Sequence, residues 1–314
     1  MVELKIDDAK CKTFYGKIEK LAKDRINAST VLTVNQKTSL ESVLEEIIKS
    51  KPEELLAINN KYVGLFFPNL VGDELNNYIN STKIIRNSAQ YADIHREYTE
   101  VIRIFDYKNL VGNKYDIADL LGINTCVYCN SIYVKTIGST SNKVRRAEYD
   151  HWYNKSHYPL LALSFYNLVP SCPFCNKLKL NKKFDLTSHF HPYTLKSKDI
   201  FKFSYIKKSL KDNNVVIVDE ENLSDKNKNL IEVFKLDKLY NAHSATELKE
   251  LLDLRFKYNK NYIDDLINVH FKGILSEKEV YRMIFGIEKE PKDFSKRPMS
   301  KFKNDIIEEL MRIK

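Results

Sequence analysis

Glycine is scarce in this chain, which has only eight glycines among its 314 residues. No two of them lie closer together than Gly64 and Gly72, so the sequence lacks G-x-G-x-x-G and G-x-x-x-x-G-K, two loops that bind phosphate groups. Long apolar runs are also missing, since no stretch approaches the roughly 18 consecutive apolar residues of a membrane span. The first twelve residues mix charges and contain no apolar secretory core. These absences predict a soluble, cytoplasmic protein without either kind of nucleotide-binding loop.

Apolar residues are nevertheless plentiful enough for a large core, because 43% of the chain is hydrophobic. In the first 120 residues they recur at helical spacing, and Thr38 and Glu41 have the spacing of a capping box at the start of one such stretch. The apolar stripe that follows consists of Leu40, Val43, Leu44, Ile47 and Ile48. We predict that this stripe is core.

Three regions are predicted along the chain: a helical region over residues 1–120, a compact module over 121–196, and a hairpin followed by helices over 197–314, which serves as scaffold or docks a partner. In the module, residues 131–137 and 143–152 read as the two strands of a hairpin. The third region is predicted to form a second hairpin within residues 201–219 and to end in a helix that begins near Ser300. The fold class predicted is α+β and mainly helical.

Positive charge is concentrated in residues 131–183, which contain nine basic side chains and two acidic ones. Such a field favours a polyanion, because neutralising phosphates releases their counterions. The alternative is an ordinary solvated face of a basic protein. The side chains predicted to contact nucleic-acid phosphates are Lys177, Lys179, Lys182, Lys183, Arg145 and Arg146.

Four of the five cysteines form two C-x-x-C pairs separated by 42 residues. The pairs are Cys126 with Cys129 and Cys172 with Cys175. Together they can supply the closed tetrahedral shell of four thiolates that zinc prefers in structural sites. The alternatives are a redox C-x-x-C, which normally occurs singly, and disulfides, which a reducing compartment disfavours. We predict structural zinc here, and an inert role for Cys11.

Four polar residues lie between and just after the cysteine pairs: Asp150, His151, Asn167 and Asn176. Neutral imidazole accepts a proton near pH 7, so His151 is predicted to be the general base of phosphodiester hydrolysis. The oxygen atoms of Asp150 and Asn176 suit Mg²⁺ or Mn²⁺, and we predict that they share one catalytic ion. Adjacent residues of a regular strand point to opposite faces, so the strand must end or bulge at Asp150 and His151.

The order D-H, then N-L, then C-x-x-C-N-x-x-K resembles the HNH endonuclease motif, the ββα-metal fold, in its variant with a zinc ion held by four cysteines. The resemblance covers roughly residues 124–183, and Asn176 occupies the third motif position, where many members have histidine. It implies an embedded ββα-metal module with nuclease activity, most often on DNA. It also implies that Asn167 is not a metal ligand but hydrogen-bonds the backbone around Asp150 and His151.

A wider resemblance involves short strings such as Y-N-L-V-P-S-C at residues 166–172 and H-P-Y at residues 191–193. These strings are similar to those of HNH proteins encoded beside an ATPase in bacterial anti-phage systems such as Septu and certain retrons. This second resemblance implies a defence effector that acts with an ATPase as its partner protein.

The competing interpretation is a non-catalytic zinc module that binds nucleic acid through the same basic segment. Such a module has no need of Asp150, His151 and Asn176 together, and their joint presence favours the enzyme. Two other histidines, His157 and His189, receive no predicted role. His191 is predicted to pack or hydrogen-bond rather than to approach the metal or the phosphate.

Overall fold

The computed structural model describes residues 1–107, 117–135, 137–138, 143–145, 147–208, 213–218 and 220–312. Within these residues the protein is mainly helical with three two-stranded antiparallel sheets, which confirms the predicted fold class. The α-helices are α1 (Asp8–Asn27), α2 (Val34–Lys49), α3 (Leu55–Phe66), α4 (Asp73–Asn80), α5 (Lys83–Arg86), α6 (Ala92–Ile104), α7 (Ile117–Leu121), α8 (Pro173–Lys179), α9 (Asp225–Phe234), α10 (Leu236–Asn241), α11 (Lys249–Lys257), α12 (Lys260–Asp265), α13 (Glu277–Phe285) and α14 (Ser300–Arg312). The strands are β1 (Ile137–Gly138), β2 (Lys143–Arg145), β3 (Glu148–His151), β4 (Leu168–Ser171), β5 (Phe203–Lys207) and β6 (Asn213–Ile217).

Helix α2 begins one turn earlier than the sequence predicted. Its N-cap is Thr33, whose side chain accepts a hydrogen bond from the backbone of Gln36 while the Gln36 side chain accepts one from the Thr33 backbone. Thr38 therefore lies inside the helix, where its hydroxyl donates to the carbonyl of Val34. The apolar stripe is core as predicted, with four of its residues buried and Val43 partly buried against them.

Strand β3 has a different partner from the one predicted. It pairs with β4, with Asp150 opposite Val169 and His151 opposite Leu168. Within the described residues, the predicted hairpin between residues 131–137 and 143–152 is confirmed only where β1 and β2 form a short antiparallel pair, with Ile137 opposite Arg145. Residues 148–151 of the predicted returning strand pair with β4 instead. The fully buried strand β4 offers β3 an apolar partner, whereas Ile137 of β1 is half exposed. Helix α8 begins directly after β4, so residues 148–179 contain two strands, joined by residues 152–167, and then a helix.

The C-terminal region follows the sequence prediction closely. Strands β5 and β6 form the second hairpin, with Phe203 opposite Ile217. Helix α14 begins at Ser300, and its buried stripe contains Phe302, Ile306 and Leu310. None of the described helices is both long and apolar enough to cross a lipid bilayer.

Asn130 connects the first cysteine pair to the segment before α14. Its backbone is left-handed, with φ of 54°, which asparagine tolerates better than most residues. The side-chain amide donates to the carbonyl of Phe294 at 2.8 Å, and its oxygen accepts from the backbone of Lys301 at 3.1 Å. The Asn130 carbonyl accepts from the backbone of Met299 at 2.6 Å. Because Asn130 is 1% exposed, these hydrogen bonds are shielded from water. They fix helix α14 beside the cysteines.

We expect Asn130→Ala to lower the free energy of unfolding by about 2–4 kcal/mol, since it leaves several buried backbone groups without partners. The measurement is urea unfolding followed by circular dichroism. Asn124→Ala is the matched control, because its side chain makes one exposed bond to the same segment, to the carbonyl of Lys296 at 3.2 Å. Equal losses in the two variants would contradict the role given to Asn130.

Candidate active site and metal centre

Four cysteine side chains meet in the interior of the protein. Cys126, Cys129, Cys172 and Cys175 are buried, and their sulfur atoms all lie within 4.8 Å of one another. Thiolates around tetrahedral zinc, with Zn–S bonds of about 2.3 Å, lie about 3.8 Å apart, so the cluster fits one ion. All four are free cysteines rather than disulfides. The structure thus confirms a metal-binding cluster of the form typical of structural zinc.

The second cysteine pair is part of the start of helix α8. Cys172 is the N-cap, and its sulfur accepts a hydrogen bond from the backbone of Cys175 at 3.5 Å. Pro173 occupies the first turn, where a missing N–H costs nothing. The hydroxyl of Ser131 donates to the sulfur of Cys129 at 3.2 Å, a bond of the kind that orients a metal ligand.

Cys11 lies apart from the cluster, in the buried face of helix α1. Burial raises the pKa of its thiol to about 12. The thiol therefore stays protonated near pH 7, which is the state expected of an unreactive packing residue.

A surface cleft of about 770 Å³ opens beside β3 and α8. Asp150, His151 and Asn176 all contribute to its lining, as do Lys155 and Lys177. Three of the four residues predicted to be catalytic therefore share one cavity. The fourth, Asn167, is fully buried outside that lining.

His151 is the last residue of β3, and its ring is held on two sides. Its Nε2 lies 3.1 Å from the carbonyl oxygen of Ala162, and the Tyr107 ring packs against it edge to face at 5.3 Å. A carbonyl oxygen only accepts, so Nε2 carries the proton and Nδ1 is the basic nitrogen. Burial and the positive charge of Lys155 lower the pKa of His151 to about 3, so the imidazole is neutral at pH 7.

Asp150 points into a buried network rather than into open solvent. Its carboxylate accepts from the hydroxyl of Tyr128 at 2.5 Å and from the ammonium of Lys179 at 3.1 Å. The same ammonium donates to the backbone carbonyl of His151 at 2.6 Å. Burial raises the pKa of Asp150 and lowers that of Lys179, while their mutual attraction opposes both shifts.

This network corrects the role predicted for Lys179. Its side chain is fully buried, so it does not reach a nucleic-acid phosphate and instead joins α8 to β3. No local pattern indicated this burial, because a lysine in a Lys-rich segment is normally solvated. Its partner Asp150 is 29 positions away in the sequence.

Asn176 is turned toward a residue that sequence reasoning missed. Its side-chain amide donates to the carboxylate of Glu148 at 2.8 Å. Glu148 lies two positions before Asp150 on β3, and the period of two in a strand could have suggested it as a neighbour. With Asp150 bonded to Tyr128 and Lys179, Asp150 and Asn176 do not form the open ligand pair predicted for Mg²⁺ or Mn²⁺.

Asn167 hydrogen-bonds the part of the chain that follows the end of β3. Its amide donates to the carbonyls of Tyr153 and Leu161, each at 3.0 Å, and its oxygen accepts from the backbone of Tyr153 at 2.7 Å. Its own carbonyl accepts from the backbone of Trp152 at 2.9 Å. These contacts enclose the turn after His151, which is the arrangement that the resemblance implied.

The remaining basic candidates fall into two groups. Lys177, Lys182 and Lys183 are exposed, and Lys183 donates to the side chain of Asn76 at 2.9 Å. Arg146 and the side chain of Arg145 lie outside the described residues. Lys155, which is not among the predicted phosphate contacts, is exposed and lines the cleft.

The other histidines of the module pack rather than face the cleft. The ring of His191 is fully buried against Trp152, with ring centres 4.6 Å apart, as predicted. His189 stacks on Phe184 at 3.9 Å. His157 is half-buried, and burial lowers its pKa.

Comparison with known proteins gives no relative for this chain, since no family model, curated protein or solved structure matches it.

Cys172→Ser is expected to lower zinc content and stability together, because a zinc site of this kind contributes on the order of 10 kcal/mol to folding. Zinc per chain is measured by mass spectrometry of the metal, and unfolding by calorimetry. Cys11→Ala is the control and should keep its zinc. Full stability of the natural protein after zinc removal would refute the structural role.

Lys179→Met is expected to lower the free energy of unfolding by about 3–5 kcal/mol, since it leaves the Asp150 carboxylate buried without its cation. Lys177→Met, two positions away on the same helix and exposed, should change stability by no more than about 0.5 kcal/mol. Urea unfolding of both variants tests the assignment, and similar losses would contradict it.

Proposed function

We propose that this protein is an endonuclease of the HNH type, which hydrolyses phosphodiester bonds of nucleic acid, with DNA as the expected substrate. The observation that carries the proposal is the state of His151 in a cleft lined by lysines. Its Nε2–H is bonded to the carbonyl of Ala162, which fixes the tautomer and leaves Nδ1 as proton acceptor.

General base catalysis by His151 accounts for one part of the reaction. Nδ1 takes the proton of the attacking water as its oxygen bonds to phosphorus and the bond to the leaving oxygen breaks. The low pKa of the imidazole makes it a weak acceptor before substrate binds. A bound phosphate adds negative charge beside the ring, which raises its proton affinity.

Positive side chains account for the binding of the phosphate. Lys155 and Lys177 line the same cleft as His151 and supply charge against the phosphate oxygens. Glu148, the acidic residue bonded to Asn176, also lines it and tempers this field.

The oxygen atoms of Asp150 and Asn176 also suggest a catalytic Mg²⁺ or Mn²⁺ ion at these two residues. Such an ion would polarise the phosphate and lower the pKa of a bound water. The hydrogen bonds of Asp150 to Tyr128 and Lys179 leave these two residues unsuited to share it. The proposed chemistry therefore rests on His151 and the cleft lysines.

The wider resemblance, carried by strings such as Y-N-L-V-P-S-C at residues 166–172, suggests that the nuclease is the effector of a cytoplasmic bacterial anti-phage system with an ATPase partner. The second candidate function, a non-catalytic zinc module that binds nucleic acid, is favoured by the exposed lysines Lys177, Lys182 and Lys183. It does not account for an oriented, neutral histidine in the cleft.

The test is cleavage of supercoiled plasmid by purified protein, in the presence of Mg²⁺, Mn²⁺ or EDTA. We expect His151→Ala to lose at least about 100-fold in rate, which is the lower range for removal of a general base. His270→Ala is the matched control, because His270 is exposed in the C-terminal region and is not among the residues that line the cleft. Equal cutting by His151→Ala would refute the base assignment, and cutting by neither protein would favour the binding module.

A further inference from the structure

The outer face of helix α8 exposes large apolar side chains beside the cleft. Phe174 is 70% exposed and Leu178 is 39% exposed, and Leu180, just after the helix, is 67% exposed. The inner face of the same helix carries Cys175 and Lys179, which are both buried. The buried side chains therefore hold helix α8 in place, and the exposed apolar side chains on its outer face contribute much less to packing.

Basic side chains alternate with this apolar group. Lys177 is three positions after Phe174, so the two are neighbours on the helix surface. Lys177 and Leu180 also line the cleft that contains His151. Lys182 lies exposed two residues further on. The apolar face is thus continuous with the proposed catalytic cleft and bordered by positive charge.

This combination distinguishes between forms of nucleic acid. A regular duplex presents phosphates to lysines but keeps the faces of its bases stacked, so it offers nothing to cover an exposed phenyl ring. An unpaired nucleotide presents both a phosphate and a free base face, and stacking of a base on an aromatic side chain is a common mode of single-strand binding. Acidic side chains of a protein partner would pair with the lysines but would not stack on the Phe174 ring.

We propose that the outer face of α8 binds unpaired nucleotides, with Phe174 stacking on a base while Lys177 and Lys182 contact the flanking phosphates. This inference rests on the proposed function, because the path of the bound strand is taken to lead from α8 into the cleft at His151. The substrate class is nucleic acid with single-stranded character, whether a free strand, a loop or a locally opened duplex.

The test separates binding from cutting by using the His151→Ala background throughout. Fluorescence anisotropy measures the affinity for a labelled 20-nucleotide DNA strand, the RNA strand of the same sequence, and the blunt DNA duplex. Phe174→Ala should weaken binding of the single strands by about tenfold and leave the duplex little changed. Phe174→Tyr should bind single strands as tightly as the protein with Phe174. Ile84→Ala removes an apolar side chain that is 85% exposed on α5, and it should leave the affinity unchanged.

A strand carrying 2-aminopurine provides the signature of stacking, because the fluorescence of this base is quenched when it stacks on a ring. Quenching that disappears in Phe174→Ala and returns in Phe174→Tyr supports the proposal. Unchanged single-strand affinity in Phe174→Ala overturns it, and so does an equal loss for strand and duplex. A result in which the Phe174 effect is found but the natural protein cuts no substrate would refute the proposed hydrolysis and leave this binding face standing.

Discussion

The convergence of four thiolates is the constraint on which the remainder of the structure depends. It joins two chain segments that are 42 residues apart and places the start of α8 beside the first cysteine pair. The C-terminal region is tied to the same point, since Asn130 bonds the segment before α14 and the Tyr240 hydroxyl donates to the carbonyl of Cys129. A metal ion at this position would therefore organise three parts of the chain at once.

A second buried contact, made by Lys179, connects the cysteine cluster to the cleft. Lys179 lies one helical turn after Cys175, and its ammonium bonds both the Asp150 side chain and the His151 backbone. Buried ion pairs of this kind contribute less to net stability than their Coulomb attraction suggests, because both charges are removed from water. Their effect here is positional, since the ammonium sets the distance between α8 and the end of β3.

The sequence was most informative where the signal is local. The C-x-x-C spacing identified the four metal-binding cysteines, and apolar periodicity identified the core stripe of α2 and the start of α14. It failed where distant residues decide the outcome. The pairing of β3 with β4 depends on a buried strand that follows a long connection, and the burial of Lys179 depends on Asp150 and Tyr128, which no spacing rule links to it.

The bond from Lys179 to the His151 carbonyl also limits how the cleft can respond to a substrate. The metal-binding cysteines at the start of α8, the turn that follows them, the Lys179 ammonium and the His151 backbone form one continuous unit, so the His151 imidazole has little freedom to move within the cleft. For the proposed nucleic-acid substrate, adjustment would then fall to the polymer, which would have to bend or unstack to present a phosphodiester bond to His151. Under this constraint, selectivity among targets would follow from the deformability of the polymer rather than from closure of the protein.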